Sequence, residues 1–191
     1  MTKPKIQIII GSTRPGRVGE PLGQWFSDIA AQNQNAEFEV LDLAEWNLPL
    51  LNEPIPARSG KYQHEHTLKW SQKIQEADGY IIITPEYNHG YPAALKNALD
   101  YLFHEWHGKS VAIVSYGLQP GGGVRAAQQL HQVVVELGMR PLTQDLNMQI
   151  DRNEVSSGNL IPRLATYEAA AKEIVTEVIS SITAKETVSN N

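Results

Sequence analysis

Apolar residues recur along this chain with two alternating periods. Short runs rich in β-branched residues predict buried strands: Lys5-Ile6-Gln7-Ile8-Ile9-Ile10 closed by Gly11, Gly79-Tyr80-Ile81-Ile82-Ile83, and Ser110-Val111-Ala112-Ile113-Val114. Between them, helical spacing takes over. Leu22, Trp25, Phe26 and Ile29 form an i, i+3, i+4, i+7 stripe that predicts a helix over residues 20–33. Trp70, Ile74 and Ala77 mark a second helix, and Leu95, Ala98, Leu99 and Leu102 a third within 92–104. Leu130, Val133, Val134 and Leu137 mark a fourth, ended by Gly138. Residues 37–43 alternate charged and apolar positions, as in a less buried strand. A fifth strand is expected within 140–148 and a last helix over 164–182. Pro49, Pro54 and Pro56 make 44–61 a long surface loop, and the polar tail 184–191 is expected to fray.

Strands alternating with helices imply a doubly wound α/β fold, with a parallel sheet covered by helices on both faces. Of the two common strand orders, the flavodoxin-like one uses five strands. Neither an internal repeat nor a linker interrupts the chain, so residues 1–191 read as one domain. A formal charge of −5 and a pI near 5.7 argue against a nucleic acid as partner. The chain has no cysteine, which removes thiol and disulfide chemistry and fits a cytoplasmic location. No apolar run approaches membrane-spanning length, and no leader is recognisable ahead of the first strand.

Three polar loops follow predicted strands, where open α/β sheets build ligand sites. The first is Gly11-Ser12-Thr13-Arg14-Pro15-Gly16-Arg17-Val18-Gly19. Its glycines can turn backbone N–H groups inward, a helix N-terminus adds positive potential, and two arginines offer forked donors. That set suits a phosphate monoester, although an ordinary turn with solvated arginines would look the same. The second, Pro85-Glu86-Tyr87-Asn88-His89-Gly90-Tyr91-Pro92, is stiffened by proline. Tyr87 can face a planar ligand and Asn88 can line its polar edge, while Glu86 reads better as a carboxylate at a helix start. The third, Ser115-Tyr116-Gly117-Leu118-Gln119-Pro120-Gly121-Gly122-Gly123, signals either close backbone approach or mobility. His104-Glu105-Trp106-His107 and His64-Glu65-His66 lack ligand spacing for a metal, and none is expected. The second pair sits two apart, on different sides of a helix.

Together the three loops resemble those of the NAD(P)H-dependent FMN reductases, which include quinone, azo-dye and chromate reductases on a flavodoxin-like fold. The resemblance runs from Gly11 to about Met148. It is most specific at Pro85-Glu86-Tyr87-Asn88, Pro92, Leu95-Lys96-Asn97-Ala98 and Asp100. It implies FMN as cofactor and NADPH or NADH as co-substrate. It also implies hydride transfer through the flavin to small acceptors, with no catalytic side chain. Ser12, Arg14 and the amides of Arg17, Val18 and Gly19 would hold the phosphate. Pro85, Glu86, Tyr87 and Asn88 would flank the isoalloxazine, and Ser115, Tyr116 and Gly117 its pyrimidine side. Many relatives carry serine and asparagine where Arg17 and Gly19 stand here. Relatives form homodimers or homotetramers, and Tyr101, Phe103 and Trp106 would suit such packing or simply belong to the core. The alternative is a flavodoxin-type carrier that holds FMN without nicotinamide turnover, although carriers tend to be far more acidic.

Overall fold

The computed structural model describes residues 3–189. Its sheet contains β1 (Lys5–Ile10), β2 (Glu37–Asp42), β3 (Gly79–Pro85), β4 (Ser110–Gly117), β5 (Arg140–Pro141) and β6 (Leu146–Gln149). The order is β2-β1-β3-β4-β5, with β6 also on β4, and every pairing is parallel. This is the flavodoxin-like order, and its switch point lies between β1 and β3. Ile8 stands opposite Ile81 and Ile10 opposite Ile83, where β1 ends, while β3 continues two residues further beside β4, to Pro85.

The continuous apolar run of β3 reflects burial on both faces, because successive side chains point to opposite sides. Ile81 and Ile83 join Ile6, Ile8, Ala112 and Val114 under α1 (Gly19–Ala30) and α8 (Glu168–Ser189). Tyr80 and Ile82 join Ile9, Val111 and Ile113 under α3 (Glu65–Gln75), α4 (Ala93–Asp100) and α5 (Val124–Glu136). Each fully buried isoleucine stabilises the fold by roughly 1.5–3 kcal/mol relative to exposure. The middle of β3 is therefore the strongest anchor beneath the rim.

The fifth strand is split. From Val111 to Val114, β4 advances three residues, while its neighbours advance five, from Pro141 to Leu146. The surplus bulges outward, and His131 Nε2 holds it to α5 through Asp145, at 3.0 and 2.9 Å from the two carboxylate oxygens. The C-terminal helix is also divided. α6 (Arg152–Ser157) opens with an Asp151–Glu154 capping box and ends at Gly158, α7 spans Ile161–Ala165, and α8 continues through Ser189. The backbone therefore stays helical through most of the tail expected to fray, and residues 190–191 lie outside the described ones.

The loop after α2 (Leu43–Trp46) is irregular but fastened. Asn97 donates to the Pro49 carbonyl at 2.7 Å and accepts from the Leu51 amide at 2.8 Å, and the Tyr101 hydroxyl lies 3.1 Å from Pro49 O. Tyr101 and Trp106 are fully buried, and Phe103 is half-buried beneath Arg58. Tyr101 and Trp106 therefore belong to the core, and Phe103 packs against it. His64 is extended, just ahead of α3, so its ring stacks on His66 at 5.2 Å instead of pointing away from it. Glu105 is buried with Ser71 Oγ at 2.6 Å and Tyr62 Oη at 2.9 Å, which explains a carboxylate inside the aromatic layer.

Candidate functional site

The first loop begins where the Gly11 amide donates to the Ile83 carbonyl at 2.9 Å, continuing the β1–β3 ladder by one bond. The chain then turns at Arg14–Arg17, with Pro15 and Gly16 (φ 66°) in the central positions and Arg17 N donating to Arg14 O at 3.1 Å. Proline followed by a left-handed glycine is the signature of a type II turn. α1 starts at Gly19 with no side-chain cap, so its first amides have no intrahelical acceptor and face the rim. A Cβ on Gly19 would lie 2.9 Å from the Tyr116 hydroxyl and 3.1 Å from Ile10. Any larger residue would push that tyrosine out of the loop.

The second loop is a tight hairpin. Tyr87 N donates to Gly90 O at 2.7 Å and Gly90 N to Tyr87 O at 2.9 Å, enclosing Asn88 (φ 51°) and His89 (φ 68°). Two left-handed central residues define a type I′ turn, where asparagine is favoured at the first position. Asn88 is exposed at the apex, so its side chain serves the turn and does not border the cavity. Tyr87 is 37% exposed, with its hydroxyl 2.7 Å from the buried Ser12 Oγ. Its ring is therefore a surface feature that ties the second loop to the first.

Glu86 has a different task. Its Oε2 accepts from the amides of Arg125 at 3.1 Å and Ala126 at 3.4 Å, capping α5, which has no side-chain cap of its own. This is the helix-start role expected for it, exerted across the chain on a helix nearly forty residues away.

The glycines of the third loop mark close backbone approach. Gly122 (φ 55°) and Gly123 (φ 86°) are left-handed; a Cβ on the first would lie 2.7 Å from the Asn147–Met148 backbone and on the second 2.9 Å from Tyr116 O. Ser115 is fully buried and bonds Gly122 O at 2.7 Å and Asn147 Oδ1 at 2.6 Å. Its hydroxyl holds this loop against β6, and Ser115 is not among the residues that border the cavity between the loops.

The three loops enclose a cavity of about 180 Å³. Arg14, Arg17 and Val18 border it from the first loop, Pro85, Glu86 and Tyr87 from the second, and Tyr116 and Gly117 from the end of β4. Leu118, Ile150 and Val155 complete the wall and were not anticipated. The rule that ligands meet the carboxyl ends of strands, extended to the fifth strand, points to Ile150. The cavity is smaller than the roughly 300–1,000 Å³ that encloses a whole ligand, so an occupant extends onto the open side carrying Leu118, 43% exposed. Burial pushes the Tyr116 phenol well above its ordinary range, reinforced by Tyr87 and opposed by Ser12, Arg17 and Arg14. Tyr116 thus stays protonated, adding a third hydroxyl to those of Ser12 and Tyr87. Arg17 pairs with Asp42, and its Nε is buried with no hydrogen-bond partner among the described residues.

The sequence pattern of the NADPH-dependent FMN reductase family matches residues 4–151. An NAD(P)H-dependent FMN reductase of Schizosaccharomyces pombe is 40% identical over 161 residues, spanning 83% of this chain and 80% of that protein. A quinone reductase of Escherichia coli K12 is 30% identical over 141 residues, spanning 70% and 71%. Among solved structures, the flavoenzyme NAD(P)H:(acceptor) oxidoreductase FerB of Paracoccus denitrificans aligns with a TM-score of 0.72. It covers 93% of this chain and 98% of its own at 20% identity, a likeness of fold.

Two substitutions test the loop anchors by urea denaturation. Glu86→Ala is expected to cost about 1 kcal/mol by uncapping α5, with faster hydrogen exchange at the Arg125 and Ala126 amides, whereas Glu86→Gln retains most of the protection. Gly122→Ala is expected to cost roughly 2 kcal/mol or more, through left-handed strain and backbone collision.

Proposed function

The chain belongs to the NADPH-dependent FMN reductase family, and on that premise we propose that the rim cavity receives its FMN with the phosphate on the first loop. The protein is an NAD(P)H-dependent FMN reductase of the quinone-reductase kind. Bound FMN supplies two-electron chemistry, drawing on NADPH or NADH and serving small acceptors such as quinones. The protein's share is binding, orientation and control of water.

The donor set supports this placement. Arg14 brings an exposed charge, Tyr87 and Tyr116 bring hydroxyls, the buried Ser12 holds the Tyr87 hydroxyl from behind, and the uncapped start of α1 brings amides through Val18 and Gly19. All are donors, as a phosphate monoester requires. The observation that carries the reading is the buried Arg17 Nε, which has no acceptor among the described residues. Pro85, Glu86 and Tyr87 stand where a flat ring would follow, with Tyr116 and Gly117 beside them, while Leu118, Ile150 and Val155 offer it apolar contact. Asn88 contributes through turn geometry, and Ser115 by holding the glycine loop.

The rest of the reading is one flavodoxin-like domain, cytoplasmic, acting as a homodimer or homotetramer. Support for assembly comes from Leu50 and Leu51, 82% and 47% exposed on a loop that Asn97 and Tyr101 hold in place.

Arg14→Ala is expected to weaken FMN retention on gel filtration, as read from flavin absorbance, while leaving the melting transition in place. Unchanged retention would reject the phosphate role. Anaerobic NADPH is expected to bleach the wild-type flavin directly; a lasting semiquinone without NADPH oxidation would favour the carrier. Leu50→Asp is expected to shift the light-scattering mass toward the 21.2 kDa monomer.

A further inference from the structure

Arg17 stands between two cavities. One is the rim cavity, and the other, about 500 Å³, is bordered by Glu20, Gln24, Val40, Asp42 and Glu45. Its guanidinium turns Nη2 toward the second cavity, where it pairs with Asp42, and Glu20 lies 3.6 Å away. The Arg17 and Asp42 side chains are 14% and 10% exposed, so this pair is largely shielded from water. Asp42 ends β2, and its other oxygen accepts from the Ala44 amide at 2.9 Å, capping α2. One carboxylate therefore holds both a helix start and an arginine.

Asp42 cannot swing far without uncapping α2, so it fixes where the guanidinium stands. With Nη2 engaged on that side, Nε is left buried with no acceptor among the described residues. Such a donor is retained at a cost where a ligand supplies the missing partner. The pairing also offsets the charge of Arg17. Arg17 then acts as an aimed donor, while Arg14 contributes the uncompensated charge.

We propose that Asp42 is a positioning residue for the flavin phosphate: it grips Arg17 from behind and leaves Nε to a phosphate oxygen, without itself touching the ligand. The inference rests on the FMN placement above, but concerns a residue outside the cavity. It differs from a plain structural role in one respect. The effect of Asp42 must depend on the ligand carrying a phosphate.

The experiment titrates full-length protein stripped of flavin with FMN and with riboflavin, which lacks the phosphate. Asp42→Asn keeps an acceptor for the Ala44 amide, so α2 stays capped. It is expected to weaken FMN binding by about tenfold or more, the equivalent of one charge-assisted hydrogen bond, and to leave riboflavin binding unchanged. In an Arg17→Ala background the same substitution no longer weakens FMN. Unchanged or tighter FMN binding by Asp42→Asn would overturn the proposal, the tighter case meaning that Asp42 competes with phosphate for Arg17. A parallel loss for riboflavin would overturn it as general damage. Wild-type protein that binds both flavins equally would instead sink the phosphate placement, and the proposal with it.

Discussion

The pairing of β1 with β3 sets everything at the rim. Ile10 stands opposite Ile83, and the Gly11 amide takes the Ile83 carbonyl, so β1 releases its loop there while β3 runs two residues further, to Pro85, beside β4. A Cβ at Gly11 would lie 3.0 Å from Leu95 and 3.2 Å from the Ile83 oxygen, so the site needs glycine to let α4 close over the junction. The sheet's buried middle supplies the stability, and its upper edge converts that stability into positions. Tyr87, four residues past Ile83, meets Ser12, two residues past Ile10, above that pairing.

The electrostatics follow from that geometry. A chain of net charge −5 draws in an anion by local arrangement, not by its overall field. Carboxylates near the loops are turned to other tasks, Glu86 to the start of α5 and Asp42 to Arg17 and α2. Two carboxylates near the rim are thereby engaged, and Arg14, Arg17, Tyr87 and Tyr116 bring donors to a cavity otherwise bordered by apolar side chains. Tyr116 adds to this because burial holds its phenol protonated.

The strands, most helices and the three loops were legible in the sequence because they depend on local periodicity and on proline and glycine. β3 declared itself by an unbroken apolar run, which only double-sided burial explains. Features set by contacts distant in sequence were not legible. Ser115 looks like a ligand contact until Asn147, thirty-two residues on, occupies it. Asn88 looks like a recognition side chain until reciprocal hydrogen bonds make it a turn residue. Tyr101 and Trp106 look like an interface until Trp70 and Tyr80 enclose them. The glycine run was open between mobility and contact, and Met148 decides it. The split of the fifth strand follows from a mismatch in length against β4, which no single segment reveals.

The clamp of Gly122 and Gly123 between β4 and β6 has a wider consequence. Its ordering entropy is lost when the sheet forms, long before any ligand arrives. A cofactor that meets a donor and then an acceptor of different shape gains from a floor that keeps its contour between visitors. Here the glycine backbone wedged against β6 steadies the end of β4, whose Tyr116 and Gly117 border the cavity. Adaptation to successive guests is left to the opposite, open side of the rim.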